Sequence, residues 1–397
     1  MKVGLFTDAY LPEISGVTTV VHWLREELDR LGHESYVYAP RYDLPMEEEP
    51  RTYRFRAGPV FSYKTARAAV PYSREASRSF ENLDIVHSHT PFSLAYVAMM
   101  ASFRQRIPHV QTYHTYLSHY RHYVPRPLRP PVKAAEKYSA LLCNRCTTVT
   151  VPTRSIQREL ERFGVRRPMH VLPFGPDLRQ YGRPPVWDPR AVLSVPDDAP
   201  LYMYAGRLAE EKNLLFLLRA FDRIHREDPR AILVFAGDGP LRAELEALSR
   251  QRSIVPAVRF AGFLDSGRLI DLYKSADLFL FSSKSETQGL VLVEAMAGGT
   301  PAVAVDAFGV NDVVQDGVNG FLASEDEEAF AQAVMRARGD RTLYETLRAG
   351  AFATAEATSA ERFVKRMIEI YEEVLRTPRS RRRRLPLHLR RQPRRGA

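Results

Sequence analysis

At 397 residues, 45% apolar and 26% charged, the chain has the size and make-up of a two-domain globular protein, which excludes disordered and fibrous classes. It contains no run of about 18 apolar residues, so no bilayer-spanning helix is expected. The start, MKVGLFTDAYLPE, carries an early acid and too short an apolar run for a signal peptide.

The net charge of +10 is unevenly spread. From Arg376 to the end there are ten arginines and no acid, so this tail carries the whole excess. The rest balances, yet residues 1–175 hold 24 basic and 16 acidic side chains, whereas residues 176–375 hold 23 and 31. Between Asp84 and Glu136 there is no carboxylate at all. The first half is built to face something anionic. Two cysteines, Cys143 and Cys146, cannot form a disulfide framework; two buried helical thiols in a reducing cytoplasm are expected.

In chain order, KVGLFTD, AYLPEISG, VTTVVHWLREELDRLG and HESYVYAP read as strand, loop, helix and strand, the helix ended by Gly32. Next comes QTYHTYLSHYRHYVP, residues 111–125, crowded with histidine and tyrosine. Tyr113, Tyr116, Tyr120 and Tyr123 fall at spacings of 3, 4 and 3, which would form one stripe on a helix. His114, His119 and His122 do not share that register, and H-x4-H-x2-H is no familiar zinc spacing, so no metal is expected. His114 follows the strand HVQTY and sits at its carboxyl end, where catalytic residues belong. Packing inside the first domain is the competing reading for the tyrosines.

The second half repeats the opening plan: LYMYAGR, LAEEKN, LLFLLRAFDRIHRED and AILVFAGDGP. Further units follow as VRFAGFL, a helix near 266–276, DLFLFSS and a helix from about 290. Strands alternating with helices imply parallel sheets covered on both faces, here two Rossmann-like domains facing an interdomain cleft. Residues 1–175 are expected to form the first, 176–358 the second, with a linker within 173–200, a helix over 359–375 that crosses back to the first domain, and an unfolded Arg-rich tail, 376–397.

Three features of the second half point to one ligand. GRLAEEKN puts Arg207 and Lys212 in a strand-to-helix loop, where cations and a helix N-terminus suit a diphosphate. SETQGLVLVEAMAGGTP carries Glu286 in a polar loop and Glu294 about one turn into an apolar helix. A carboxylate inside VLVEAMA needs partners, either sugar and ribose hydroxyls or a structural cation. Gly289, Gly298 and Gly299 would let backbone approach a ligand.

With these motifs, and with GHESYVYAP, DIVHSHTP and VPTRSIQRELERFGV followed by VLPFGPDL, the chain resembles the retaining, nucleotide-sugar-dependent glycosyltransferases of family four, which have the GT-B fold. The resemblance spans nearly all of residues 1–375. It implies that Arg207 and Lys212 bind the donor diphosphate, that Glu294 holds the ribose, and that Glu286 meets the hydroxyls of the transferred sugar. Backbone of Gln288, Gly289, Leu290 and Val291 would surround sugar and phosphate. Gly16 would let the first helix's amino end approach the diphosphate, and His114 would lie beside donor sugar and acceptor. Pro176 departs from the hydrophobic residue usual in LP-x-G-hydrophobic-D. No D-x-D pair is present to hold a divalent ion, so cations and helix ends would meet the leaving group, with no cofactor and no carboxylate nucleophile.

The histidine and tyrosine segment with HSHTPFSLA before it looks most like bacterial 1,2-diacylglycerol 3-glucosyltransferases, monotopic enzymes that use UDP-glucose. The resemblance implies a lipid acceptor and an anionic membrane surface on the inner face of the cell membrane. Tyr116, Tyr120, Arg121, Tyr123, Arg126, Arg129 and Lys133 would face that surface, since aromatic rings with adjacent cations suit a bilayer interface. Residues 61–80 are a second candidate. Other donors, GDP-mannose or UDP-galactose, and phosphatidylinositol as acceptor, stay open. The tail lacks a folded module, so no specific nucleic acid is expected; a polybasic lipid anchor fits it better.

Overall fold

The computed structural model describes residues 1–13, 15–43, 49–60, 63–117 and 129–377. They fall into two compact units. The first comprises Met1–Val151, Gln157–Leu172 and the described chain from Val364 onward; the second comprises Pro152–Ile156 and Pro173–Phe363.

The first unit opens with β1 (Lys2–Phe6), α1 (Gly16–Arg30), β2 (Glu34–Pro40), β3 (Thr52–Phe55), β4 (Ala57–Val60), β5 (Tyr63–Ala69) and α2 (Arg74–Ser79). It continues with β6 (Ile85–Ser88), α3 (Ser93–Gln105), β7 (His109–Thr112), α4 (Val132–Cys143), β8 (Thr148–Val151), α5 (Arg154–Phe163) and β9 (Met169–Val171). Seven strands form one parallel sheet in the order β3-β2-β1-β6-β7-β8-β9, with β4 and β5 a separate antiparallel pair. The inner strands β2, β1, β6, β7 and β8 are almost wholly buried, as a parallel sheet covered on both faces requires, while the edge strands β3 and β9 are partly exposed. Aromatic packing fills one side of the sheet: Phe6 stacks on Tyr38 at 4.2 Å, and Tyr38 on Tyr53 at 5.2 Å.

The second unit holds α6 (Leu178–Tyr181), α7 (Pro189–Val192), β10 (Leu201–Ala205), α8 (Leu214–Glu227), β11 (Ile232–Ala236), α9 (Arg242–Gln251) and β12 (Val258–Gly262). Then come α10 (Ser266–Ser275), β13 (Leu278–Phe281), α11 (Leu290–Ala297), β14 (Ala302–Val305), β15 (Gly320–Ala323), α12 (Glu327–Gly339) and α13 (Arg341–Thr358). Its six strands are all parallel, in the order β12-β11-β10-β13-β14-β15. The residues expected as a linker are instead folded onto this unit. Asp271 of α10 accepts from the amides of Val186 and Trp187, and the Trp187 indole donates to the Arg268 carbonyl.

The last helix, α14 (Ala360–Arg376), buries Met367, Ile370, Tyr371 and Val374 in the first unit. Among the described residues no helix is long and apolar enough to cross a membrane. Cys143 and Cys146 are both buried and free.

Candidate active site

In the second unit the strand order reverses between β10 and β13, and open α/β sheets bind ligands beyond the carboxyl ends of such strands. The loop after β10 carries Arg207 and Lys212, and the loop after β13 carries Glu286. Lys212 Nζ donates to Glu286 Oε1 at 2.6 Å, with the two side chains 21% and 16% exposed. Beneath this ion pair the loops are fastened by Ser282 Oγ, which donates to the Lys212 carbonyl at 2.8 Å, and by Ser283 Oγ, which donates to the Glu211 carbonyl at 3.3 Å. Burial pushes the Glu286 carboxyl up, but the Lys212 charge and hydrogen bonds from Lys212 and Ser283 leave it below its ordinary value. Glu286 is therefore an ionised acceptor at neutral pH. Arg207, at the start of the same loop, is exposed.

Glu294 lies one turn into α11 and is half-buried, its Oε2 accepting from the Tyr273 hydroxyl at 3.1 Å. Burial raises its pKa to about 7, with Tyr273 pulling the other way. Hydroxyl donors from a ligand would favour the ionised form. α11 opens on Gly289, whose φ of +77° is left-handed. The first amides of a helix have no intrahelical partners, and Leu290 and Val291 at this end are partly exposed.

Gln288 is buried and its side chain is already engaged: its Oε1 accepts from the Phe174 amide at 3.1 Å, and its Nε2 donates to the Phe174 carbonyl at 2.5 Å. Gly298 and Gly299 were expected to bring backbone to a ligand, and the packing corrects this. A Cβ at Gly298 would strike Tyr273, and one at Gly299 would strike the Phe352 ring, so both serve helix packing. One contributor had no visible signal in the sequence. At Gly309, with φ +78°, a Cβ would run into the Glu286 carbonyl oxygen, so the loop after β14 braces the Glu286 backbone.

In the first unit the order reverses between β1 and β6. Asp8, after β1, accepts from the Thr90 and Ser93 hydroxyls at 2.6 Å each, tying that loop to the one after β6. Gly16 starts α1, capped by Ser15, whose side chain accepts from the Thr18 amide. Gly16 is exposed, and a Cβ there would meet nothing within 4 Å among the described residues.

His114, beyond β7, is 8% exposed, and its Nε2 lies 3.1 Å from Nδ1 of His89. His89 is fully buried, and its Nε2 has no hydrogen-bond partner among the described residues. The His87 ring lies tilted beside that of His89, their centroids 4.0 Å apart, and bonds the Tyr371 hydroxyl and Thr112 Oγ1, both at 2.6 Å. Burial holds the His114 pKa down to about 3, so the ring is neutral. The motif HSHTP was visible in the sequence, but His89 was not singled out there; its place beside His114 arises because β6 and β7 are neighbours. Among the described residues no group of three or more His, Cys, Asp or Glu could hold a metal ion.

The expected lipid-facing residues divide. Tyr116 is 7% exposed, and its hydroxyl donates to Glu159 at 2.8 Å, so it belongs to the packed interior and not to a surface. Tyr113 is likewise buried, bonded to Ser139 Oγ at 3.1 Å. Neither is helical, which corrects the expected helical stripe for these two: the chain leaves β7 in an extended path, the Tyr113 amide donating to the Thr150 carbonyl. Arg129 and Lys133 are exposed. Tyr120, Arg121, Tyr123 and Arg126, with His119 and His122, lie outside the described residues, as do 378–397 of the tail.

Residues 186–354 match the glycosyl transferases group 1, and residues 14–180 match Glycosyltransferase Family 4. The alpha-monoglucosyldiacylglycerol synthase of Acholeplasma laidlawii is 30% identical over 94% of this chain and 98% of its own. Its namesake from Streptococcus pneumoniae is 29% identical over 94% and 86%. A GDP-mannose-dependent alpha-mannosyltransferase of Mycobacterium tuberculosis is 28% identical over 87% and 90%. Among solved structures, sucrose-phosphate synthase from Thermosynechococcus elongatus superposes with a TM-score of 0.74 at 22% identity, covering 94% of this chain and 98% of that one, which shows the fold. The chain therefore belongs to the group 1, family-four glycosyltransferases of GT-B fold, and is a nucleotide-sugar-dependent hexosyltransferase.

Proposed function

We propose that this enzyme transfers glucose from UDP-glucose, with retention of the α configuration, onto 1,2-diacylglycerol at an anionic membrane surface. The observation that carries the reading is the likeness, over 94% of the chain, to alpha-monoglucosyldiacylglycerol synthases. In this reading the donor's diphosphate is met by Arg207, Lys212 and the amide-lined start of α11. Lys212 leaves Glu286 for the phosphate only in part, so the same cation serves the diphosphate and keeps Glu286 ionised to accept from the sugar hydroxyls. Glu294 accepts from the ribose. No bound metal is required, because cations and helix N–H groups stabilise the departing oxygen as the bond breaks. The acceptor attacks from the face the diphosphate leaves, and the departing phosphate oxygen takes its proton. His114, neutral and held by His89, orients the sugar beside that bond. Arg129 and Lys133 meet anionic headgroups.

The test offers the purified enzyme UDP-glucose, UDP-galactose or GDP-mannose with diacylglycerol in phosphatidylglycerol vesicles, and identifies products by mass and anomeric NMR. An α-glucosyl glycolipid from UDP-glucose is expected. Transfer only to a soluble sugar, or from GDP-mannose alone, would overturn the reading.

A further inference from the structure

The outer face of α3 breaks the rule that a surface helix is polar where it meets water. Its inner face is the expected one, with Leu94, Ala95, Val97, Ala98 and Ala101 all buried. Opposite them Phe92, at the N-cap, is 50% exposed, Tyr96 45%, Met100 39% and Phe103 83%. Steps of 4, 4 and 3 at 100° per residue put these four within an arc of about 80°, so they form one stripe along the helix. A single exposed aromatic needs no explanation, but four large apolar side chains in line on one helix do.

The charges around the stripe are of one sign. Arg104 and Arg106 are exposed at the end of α3, and Lys133 and Lys137 on α4. α4 is tied to the start of α3 by Tyr138, whose hydroxyl donates to the Pro91 carbonyl at 2.7 Å and accepts from the Tyr96 hydroxyl at 3.1 Å. It adds exposed Val132 and Leu141. No carboxylate occurs between Asp84 and Glu136, and Glu136 lies 3.7 Å from Arg162. An apolar stripe flanked by cations and free of acids complements an anionic bilayer: rings and thioether enter the acyl boundary while the cations meet headgroups.

We infer that the α3 stripe, with the cation-bearing face of α4 beside it, is a surface that inserts into an anionic lipid interface. The inference rests on the lipid-acceptor reading above and deepens it. The stripe begins at Phe92, three residues beyond His89, so the helix that dips into lipid starts where the proposed acceptor must arrive. Its length of 13 residues is about 20 Å, enough to lie along the surface and not to cross it.

The experiment uses the full chain and cosedimentation with vesicles of equimolar phosphatidylglycerol and phosphatidylcholine, at 0.1 and 0.5 M NaCl. High salt screens the contribution of the Arg-rich tail. Met100→Glu/Phe103→Glu is expected to weaken binding at 0.5 M NaCl by at least about tenfold, since two large apolar side chains lose their burial. Phe352→Glu, an exposed apolar residue of the second unit, is the control and leaves binding unchanged. Transfer to detergent-dispersed diacylglycerol by the double variant stays within about twofold of the parent, which shows that it is folded. If the parent does not bind vesicles, the membrane reading itself fails. If parent and double variant bind equally, only the α3 inference fails. Should the substitutions leave vesicle binding intact but turn a dimer into a monomer in sedimentation, the face is a self-association surface and the inference is overturned.

Discussion

The two units share a plan and differ in what they place at its working end. Each is a parallel sheet whose strand order reverses once, and each gathers polar side chains on the two loops at that reversal. In the second unit those loops hold an ion pair, Lys212 with Glu286, and the helix α11 that follows carries Glu294, whose carboxyl is raised to about 7. In the first, the loop after β6 holds the buried His89, which meets His114 from beyond the neighbouring β7, and leads into α3 with its apolar outer stripe. The same topology thus presents charged groups in one unit and buried neutral rings in the other. The difference lies in what the loops carry, since a sheet's reversal point supplies position and not chemistry.

The largest effect that would break this comparison is at the ion pair. Glu286→Ala is expected to lower transfer by about 10²–10³-fold, the range for removing a positioned electrostatic group from an active site. A double variant with Lys212→Ala should lose far less than the product of the single losses, because the two act as a unit. Steady-state kinetics with each variant tests both; additive losses would mean that the two residues act independently and not as a pair.

His114→Ala is expected to reduce turnover by about 10²-fold, with donor KM nearly unchanged, if the first unit's imidazole orients reacting groups. With the His114 pKa held near 3, the parent's rate should show no ionisation from this residue between pH 5 and 9. A His114→Ala variant that keeps full turnover would remove the first unit's interior from the chemistry.

Glu294 separates binding from stability. Its pKa of about 7 in the free enzyme means that donor hydroxyls must hold it ionised, so donor affinity should fall as pH drops from 8 to 6. Glu294→Gln is expected to raise donor KM by about tenfold and to flatten that dependence. For stability the sign reverses. A carboxyl raised in the folded state favours folding below its unfolded value and opposes it as pH climbs through 7, so Glu294→Gln should raise the thermal midpoint at pH 8. A lowered midpoint would count against a strained, buried carboxylate.

Acid stability of the first unit is the mildest test. His87, His89, His109 and His114 are all held below the ordinary value of 6.5 by burial. The unfolded chain therefore binds protons the folded unit refuses, and stability should decline as pH falls through 6.5. Urea midpoints at pH 7 and 5 would show it, and His109→Gln should soften the decline slightly.

Much of this was legible in the residues themselves. Short apolar runs such as LYMYA and ILVFA, alternating with segments of helical period, read as buried parallel strands, which is what they form. Glu286 and Glu294 were visible because acids amid apolar or glycine-rich sequence need a reason. What was hidden depended on which way a side chain turns in three dimensions. SLAYVAMMASF is apolar on every side, so nothing in it says that Tyr96 and Phe103 face out while Val97 and Ala98 face in. Tyr116 reads as a lipid-facing ring, but Glu159 holds its hydroxyl inside the unit, and nothing in the sequence says that the Gln288 side chain bonds the Phe174 backbone. His89 gained its place from strand adjacency, which short-range patterns do not encode.

Gly309 carries a consequence for anyone diversifying this enzyme. It touches no ligand group in the proposed scheme, yet any side chain there would press on the carbonyl of Glu286 from a backbone that L-residues rarely adopt. In a mutational library, position 309 should therefore behave like an active-site position, tolerating almost nothing. A screen ranked by survival would then mark as essential a residue whose whole contribution is the absence of a side chain.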